Sequence, residues 1–271
     1  MEVSSAHLFS FHGNLASSYK CLVSSHPHWD HIGRPALFPS STNLIIGPGI
    51  ISQLGPGYPE NESSPFRSEA FSGRKVIELD FDKDSKSSIG DLRAFDFFGD
   101  GSLYFLDAPG HAVGHINALA RTSADTFIFM GADSFHHAAA LRPSDGVPLP
   151  SSVSVSGLQP FPCPGEMFEA FHPCSQSSSS DAGLTPFVQI GEKSPAIDLG
   201  AARGTLHKIE SFDADPNILV VAAHDWSLKD IVDYFPQSAN EWKRKGWKDK
   251  GRWRFLADFQ KAVDLVSKAK M

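Results

Sequence analysis

A mixed α/β fold of the α+β kind is what the sequence predicts, and three observations carry the prediction. Short strand-like runs recur between residues 75 and 130, two amphipathic helical patterns follow at 198–212 and 251–268, and histidines or aspartates stand just past several predicted strand ends. With 271 residues, 41% of them hydrophobic, the chain can bury a sizeable core, and one domain over residues 1–271 is the expected organisation.

Residues 1–16 are poorly patterned, and the first convincing strand is 19–25. A turn at 34–39 leads to a short apolar strand, 43–46, stopped by Gly47-Pro48-Gly49. Residues 55–73 carry Gly, Pro, Ser and Asn with little periodicity and read as a long surface loop of the kind that shapes substrate entry. Five strands follow, at 75–81, 92–97, 102–107, 116–121 and 126–130, with Gly99-Asp100-Gly101 as a hairpin turn. Their even spacing predicts a consecutive antiparallel meander. Segments 141–164 and 175–180, rich in Pro and Ser, read as loops over the active face. Asp198 is a natural N-cap for a helix through Leu199, Leu206, Ile209 and Phe212, and 218–222 reads as a buried strand with His224 at its end. Phe255, Phe259, Val263 and Val266 recur on one side of an amphipathic closing helix.

Composition excludes several classes. The net charge of -7 argues against a nucleic-acid partner. A Lys/Arg cluster at 243–254 is interleaved with Trp242, Trp247 and Trp253 and diluted by Glu241 and Asp249, so it reads as a packed amphipathic surface. Three widely spaced cysteines make a disulfide framework unexpected. No apolar run approaches the roughly 18 residues that span a bilayer, and no signal peptide is legible, so the expected location is cytoplasmic.

The chemistry concentrates in His26-Pro27-His28-Trp29-Asp30-His31, three imidazoles and a carboxylate within six residues of a strand end. Such nitrogen and oxygen donors suit zinc, with iron or manganese as substitutes. An extended backbone aims His26 and His28 together, while Asp30 and His31 swing past the bend toward a neighbouring position, so one motif can serve two metals. Pro109-Gly110-His111-Ala112-Val113-Gly114-His115, Asp133 after Gly131, and His224 also follow predicted strands, an economical way to build a rigid polydentate site.

In this order, H-x-H-x-D-H, P-G-H-x-x-G-H, G-x-D and A-H-D resemble the metallo-β-lactamase superfamily, and within it the N-acyl homoserine lactonase-like hydrolases. The likeness runs from Tyr19 to the C-terminus; Gly99-Asp100-Gly101-Ser102, His136-His137 and the Trp-rich tail are also similar to fungal members. The resemblance implies an αββα sandwich holding two zinc ions: one on His26, His28 and His115, the other on Asp30, His31 and His224, with Asp133 bridging both. His111 would then stand behind His115 or serve structure. Two ions roughly 3.5–4 Å apart lower the pKa of a shared water toward 7, giving a metal-bridging hydroxide that opens a lactone or cleaves a related ester. Asp30 is the residue to orient that hydroxide or hand its proton to the leaving alkoxide. The substrate expected is a small molecule; no nucleic acid or membrane partner is expected, and a homodimer is allowed.

Two departures from the pattern stand out. His136 occupies the position of the family's carbonyl-binding tyrosine, where an imidazole could still donate a hydrogen bond to the substrate. Only 25 residues precede His26, so an incomplete first lobe is expected, with unpaired strand edges that favour association. The alternatives are a thioester hydrolase of the same fold and a catalytically silent truncated homologue. Among other residues, Asp107 could buttress His115 or form a turn, Arg142 could meet a substrate carboxylate or phosphate, and His137 would sit beside the metals. His12, His172 and His207 have no motif context and read as surface or packing histidines, and most of the 21 Phe must fill core.

Overall fold

The computed structural model describes residues 19–83, 85, 87–176 and 181–269; the poorly patterned stretch 1–16 with His12, and most of the serine run, lie outside them. The chain divides into two compact units, Met1–Ala118 with Pro195–Ala202 and Leu119–Ser194 with Arg203–Met271.

In the first unit, β1 (Cys21–Val23), β2 (Asn43–Ile46) and β3 (Val76–Glu78) form a parallel sheet with β2 in the centre. The run Leu44-Ile45-Ile46 is apolar throughout because both faces of this strand are covered. Leu44 and Ile46 pack with Ile50 on α1 (Ile50–Leu54) and with Phe66 and Ala70; Ile45 points the other way, to Leu79, Phe81, Phe105 and Ile116. The stretch 55–73 is therefore not purely a surface loop: it sends Phe66, 1% exposed, into the core. Opposite lies an antiparallel array of β4 (Ser87–Ile89), β5 (Leu92–Asp96) and β6 (Leu103–Asp107). The turn expected at Gly99-Asp100-Gly101 is there. Asp96 accepts the amides of Gly99 and Gly101, each at 2.9 Å, and both glycines take positive φ, which only glycine adopts without cost. The chain passes to the second unit within β7 (Ile116–Arg121).

The second unit pairs β8 (Phe127–Met130) in parallel with β11 (Ile218–Val221), Phe127 opposite Ile218 and Met130 opposite Val221. The expected meander is realised over four of its five strands, β5, β6, β7 and β8 standing side by side in chain order with β5 and β6 antiparallel, whereas β3 joins the parallel sheet and β8 takes β11, some ninety residues away, as its second neighbour. Strand patterns mark what is extended without marking which edge it meets. Segment 141–164 is also more than loop. It contains β9 (Ser152–Val153) and β10 (Cys163–Pro164), an antiparallel pair leading to α2 (Glu166–Glu169). Val153, Leu158, Cys163 and Phe168 are buried there with Phe187, Phe255, Leu256 and Val263. The helix capped by Asp198 is α3 (Leu199–Ala214); Asp198 Oδ1 accepts the Ala201 amide at 2.9 Å, as an N-cap does. After α4 (Trp247–Gly251), the expected closing helix starts late: Arg254–Phe259 winds as a tighter 3-10 turn that buries the adjacent Phe255 and Leu256, and α5 spans Gln260–Ala269. The tryptophan-rich tail packs as expected, Trp242 and Trp247 being buried against Leu219. The three cysteines are free. Among the described residues no helix is long and apolar enough to cross a membrane.

Three buried charged side chains, Arg142, Asp213 and Lys248, hold the second unit. Arg142 donates two hydrogen bonds of 2.7 Å to Asp213, one to each carboxylate oxygen, and a third to the Arg252 carbonyl. Its partner is thus internal, not a substrate group, because the fold brings a carboxylate from α3 onto it. Burial alone would push the Asp213 carboxyl up, but the Arg142 charge and hydrogen bonds bring it below the ordinary value. Lys248 donates to the carbonyls of Asp215 and Ile218, and burial pushes its ammonium down to about 8 against the pull of Asp213.

Arg142→Met, which strands a buried carboxylate, is expected to lose about 3 kcal/mol or more in urea unfolding, and Arg142→Met with Asp213→Leu to recover at least half of that. Because the folded pKa of Lys248 lies below the unfolded one, near 10.5, the unfolded chain binds the extra proton between about pH 8 and 10.5. Stability should therefore gain with rising pH in that window, by up to about 3 kcal/mol relative to Lys248→Met, and the difference should be flat below pH 8; unfolding midpoints of both proteins across pH 7–10.5 measure it.

Candidate metal centre

The first unit carries the H-x-H-x-D-H motif directly beyond β1. The Ser24 amide still bonds the Ile45 carbonyl at 3.0 Å, extending the pairing with β2, and the chain then turns, with the His31 and Ile32 amides both on the His28 carbonyl. The Ser24 hydroxyl bonds the His26 carbonyl at 3.1 Å, and the Ile116 amide ties Ser25 to the start of β7 at 2.9 Å. His26 is fully buried, and four imidazoles surround it: His31, His28, His111 and His115, with ring centroids 4.1, 4.6, 4.8 and 5.0 Å away. The Ser25 hydroxyl lies 3.2 Å from His26 Nδ1 and 3.3 Å from His31 Nδ1. One hydroxyl therefore orients two rings through their Nδ1 atoms and turns both Nε2 atoms away from it. Sequence reasoning passed over Ser25, although a hydroxyl beside a ligating histidine was the available signal. Asp30 is half-buried, one carboxylate oxygen 3.6 Å from His31 Nε2.

His115 is 1% exposed, and its Nδ1 is 2.8 Å from the Ala108 carbonyl. A carbonyl only accepts, so Nδ1 carries the proton and Nε2 presents its lone pair, the arrangement that suits a metal-ligating histidine. The partner that holds His115 is this backbone oxygen, not Asp107, whose carboxylate takes two hydrogen bonds from Arg93. The loop bearing His111 and His115 needs its first glycine. Gly110 has φ of +120°, and a Cβ there would stand 2.1 Å from the Ala202 amide nitrogen in the first turn of α3. That close approach lets the Asp198 amide reach the Gly110 carbonyl at 3.0 Å. His111 lies in the cluster itself, its Nε2 3.0 Å from His28 Nδ1.

In the second unit the ladder between β8 and β11 continues beyond both strands. The Gly131 amide bonds the Val221 carbonyl at 2.7 Å and the Ala223 amide the Ala132 carbonyl at 2.9 Å. This brings Asp133 and His224, the residues that follow, to the same end of the pair. Ala132 takes φ of +42°, a left-handed conformation costing an alanine roughly 1–2 kcal/mol, and it turns Asp133 off the strand direction. Asp133 is 4% exposed; Oδ1 is 3.5 Å from His224 Nε2 and Oδ2 is 3.2 Å from His136 Nε2. The two imidazoles stack 10° from parallel with centroids 5.1 Å apart. Asp225 caps the following turn by accepting the Ser227 amide.

Other histidines do structural work. His137 accepts the Ala139 amide and faces Asp258 at 3.1 Å, so it is not part of the Asp133 group as the sequence suggested. His172 is buried against the carbonyls of Thr185 and Pro186, and His207 pairs with Glu210 on the surface, as expected of packing and surface histidines. The donors assembled within each unit are imidazole nitrogens and carboxylate oxygens, a set that fits zinc and similar divalent ions.

No family model matches the chain. It is 41% identical over 251 residues to the gamma-lactamase FDB1 of Fusarium pseudograminearum, covering 91% of this chain and 60% of that protein. It is 44% identical over 246 residues to the metallo-hydrolase mfmC of Annulohypoxylon moriforme, covering 89% and 62% respectively. The chain thus spans about 60% of the length of these two relatives. With the gamma-lactamase MBL2 of Gibberella moniliformis it shares 44% identity over 172 residues, 62% of this chain and 72% of that protein. Identity at this level over most of a relative, together with the four motifs, places the chain in the metallo-β-lactamase superfamily, in the family of these gamma-lactamase and metallo-hydrolase proteins.

Proposed function

We propose that residues 1–271 act as one binuclear-zinc hydrolase domain that opens a lactone or cleaves a related ester. The observation that carries the reading is the packing of four imidazoles around the fully buried His26. Imidazoles gain little from burial against one another, and protonated they repel; converging as neutral donors, they suit a cation. His26, His28 and His115 would hold one zinc, Asp30, His31 and His224 the other, and Asp133 would serve both. Bound there, the ions supply a water ionised near neutral pH and a positive charge for the substrate's carbonyl oxygen.

The chain's own residues do the rest. The Ser25 hydroxyl orients the His26 and His31 rings, and the Ala108 carbonyl holds His115 in the tautomer that leaves Nε2 bare. Asp30 takes the proton that attacking water gives up and passes it to the departing alkoxide. The water oxygen ends on the carbonyl carbon, the ring C–O bond breaks, and a hydroxy acid leaves. A γ-lactam is the second substrate class to hold in view, because two of the relatives are named gamma-lactamases. Its amine leaving group needs the same proton from Asp30.

Elemental analysis of the purified protein should find about two zinc per folded chain, and Asp133→Ala should lower that number and cut kcat/KM on the best substrate by roughly 100-fold or more. A panel of γ-lactones, aryl esters, thioesters and γ-lactams, read by chromatography of the acid products, should give its largest rates with lactones or esters. Near-zero metal in a folded sample would overturn the proposal, and exclusive turnover of lactams or thioesters would reassign the substrate.

A further inference from the structure

We infer that His136 is itself a metal ligand, so that the second unit presents a three-donor set of Asp133, His136 and His224. The inference rests on the metallo-hydrolase reading and assigns a donor that the superfamily pattern does not include. His136 Nε2 lies 3.2 Å from Asp133 Oδ2 and His224 Nε2 lies 3.5 Å from Asp133 Oδ1. One donor atom from each residue falls within 4.8 Å of the others. Ligand atoms at 2.0–2.1 Å from a tetrahedral zinc are roughly 3.3 Å apart, and each imidazole stands near that spacing from one of the two Asp133 oxygens. The near-parallel rings, 10° apart, direct their Nε2 atoms to the two oxygens of one carboxylate. The two imidazoles therefore flank the carboxylate instead of competing for one oxygen.

A carbonyl-binding role like that of a tyrosine fits less well. His136 Nε2 is turned to Asp133, and as a metal ligand it presents its lone pair there with the ring proton on Nδ1. With side-chain exposure of 46%, His136 is also the open side of the group, where an ion can enter and exchange.

The test is metal binding by the whole chain, read by competition with a chromophoric chelator and by the visible absorption of the cobalt-substituted protein. His136→Gln keeps a hydrogen-bond donor for Asp133 but offers no imidazole nitrogen. It is expected to weaken binding of one metal equivalent by about 10- to 100-fold and to alter the cobalt spectrum. His136→Cys, a competent ligand, is expected to restore affinity with a sulfur charge-transfer band. His137→Ala serves as the control and should leave both readouts unchanged. Unaltered affinity and spectrum in His136→Gln would overturn the inference while leaving the metal-centre reading intact. A wild-type chain that binds no metal would overturn both.

Discussion

Much of the first unit can be understood as the means of burying His26. An imidazole at zero exposure costs free energy unless its nitrogens are engaged and its protonation is settled. The sequence meets that demand locally and at a distance: Ser25 supplies a hydroxyl next door, and the 108–115 loop brings His111 and His115 against the ring. That loop can approach only because Gly110 and Gly47 lack side chains, a Cβ on Gly47 falling 1.9 Å from the Gly114 carbonyl oxygen. The central strand β2, apolar on both faces, then fixes β1 and the motif that follows it.

The second unit solves a related problem by register. Parallel pairing of β8 with β11 is continued by two backbone hydrogen bonds to the residues next to Asp133 and His224, so the carboxylate and the imidazole emerge together. The left-handed Ala132 is a small local strain that this ladder overrides. Behind the strands, the Arg142–Asp213 pair joins the loop after β8 to α3, and Trp242 packs on Leu219 while its Nε1 donates to Thr122. Replacing these contacts by solvent would loosen the elements from which Asp133 and His224 project.

For the proposed hydrolysis, substrate class is a question of leaving group. Ester and lactam hydrolysis both need an activated water and a stabilised oxyanion, but an amine leaves far less readily than an alkoxide without a proton. In the proposed reaction Asp30, half-buried beside His31, would serve either duty.

The candidate ligand motifs were legible in the chain because metal chemistry needs particular side chains, and because strand ends announce themselves by an apolar run followed by Gly, Pro or a polar residue. His26, His28, Asp30, His31, His115, Asp133 and His224 could all be picked out that way, as could the N-cap Asp198 and the turn at Gly99-Asp100-Gly101. Pairing was legible only between strands that follow one another in the chain. Local pattern shows that 126–130 is extended, but its second neighbour, β11, lies some ninety residues on, and only the folded chain decides that the two run in parallel. For the same reason Arg142 looked like a substrate contact until Asp213 was found beside it, Asp107 proved to serve Arg93, and the supposed loop 141–164 turned out to bury Val153, Leu158 and Cys163. Sequence by itself determined which groups are chemically able to bind and catalyse. Which of them meet was decided by tertiary structure, since contacts between distant segments depend on the packing of the whole core and leave no local periodicity to read.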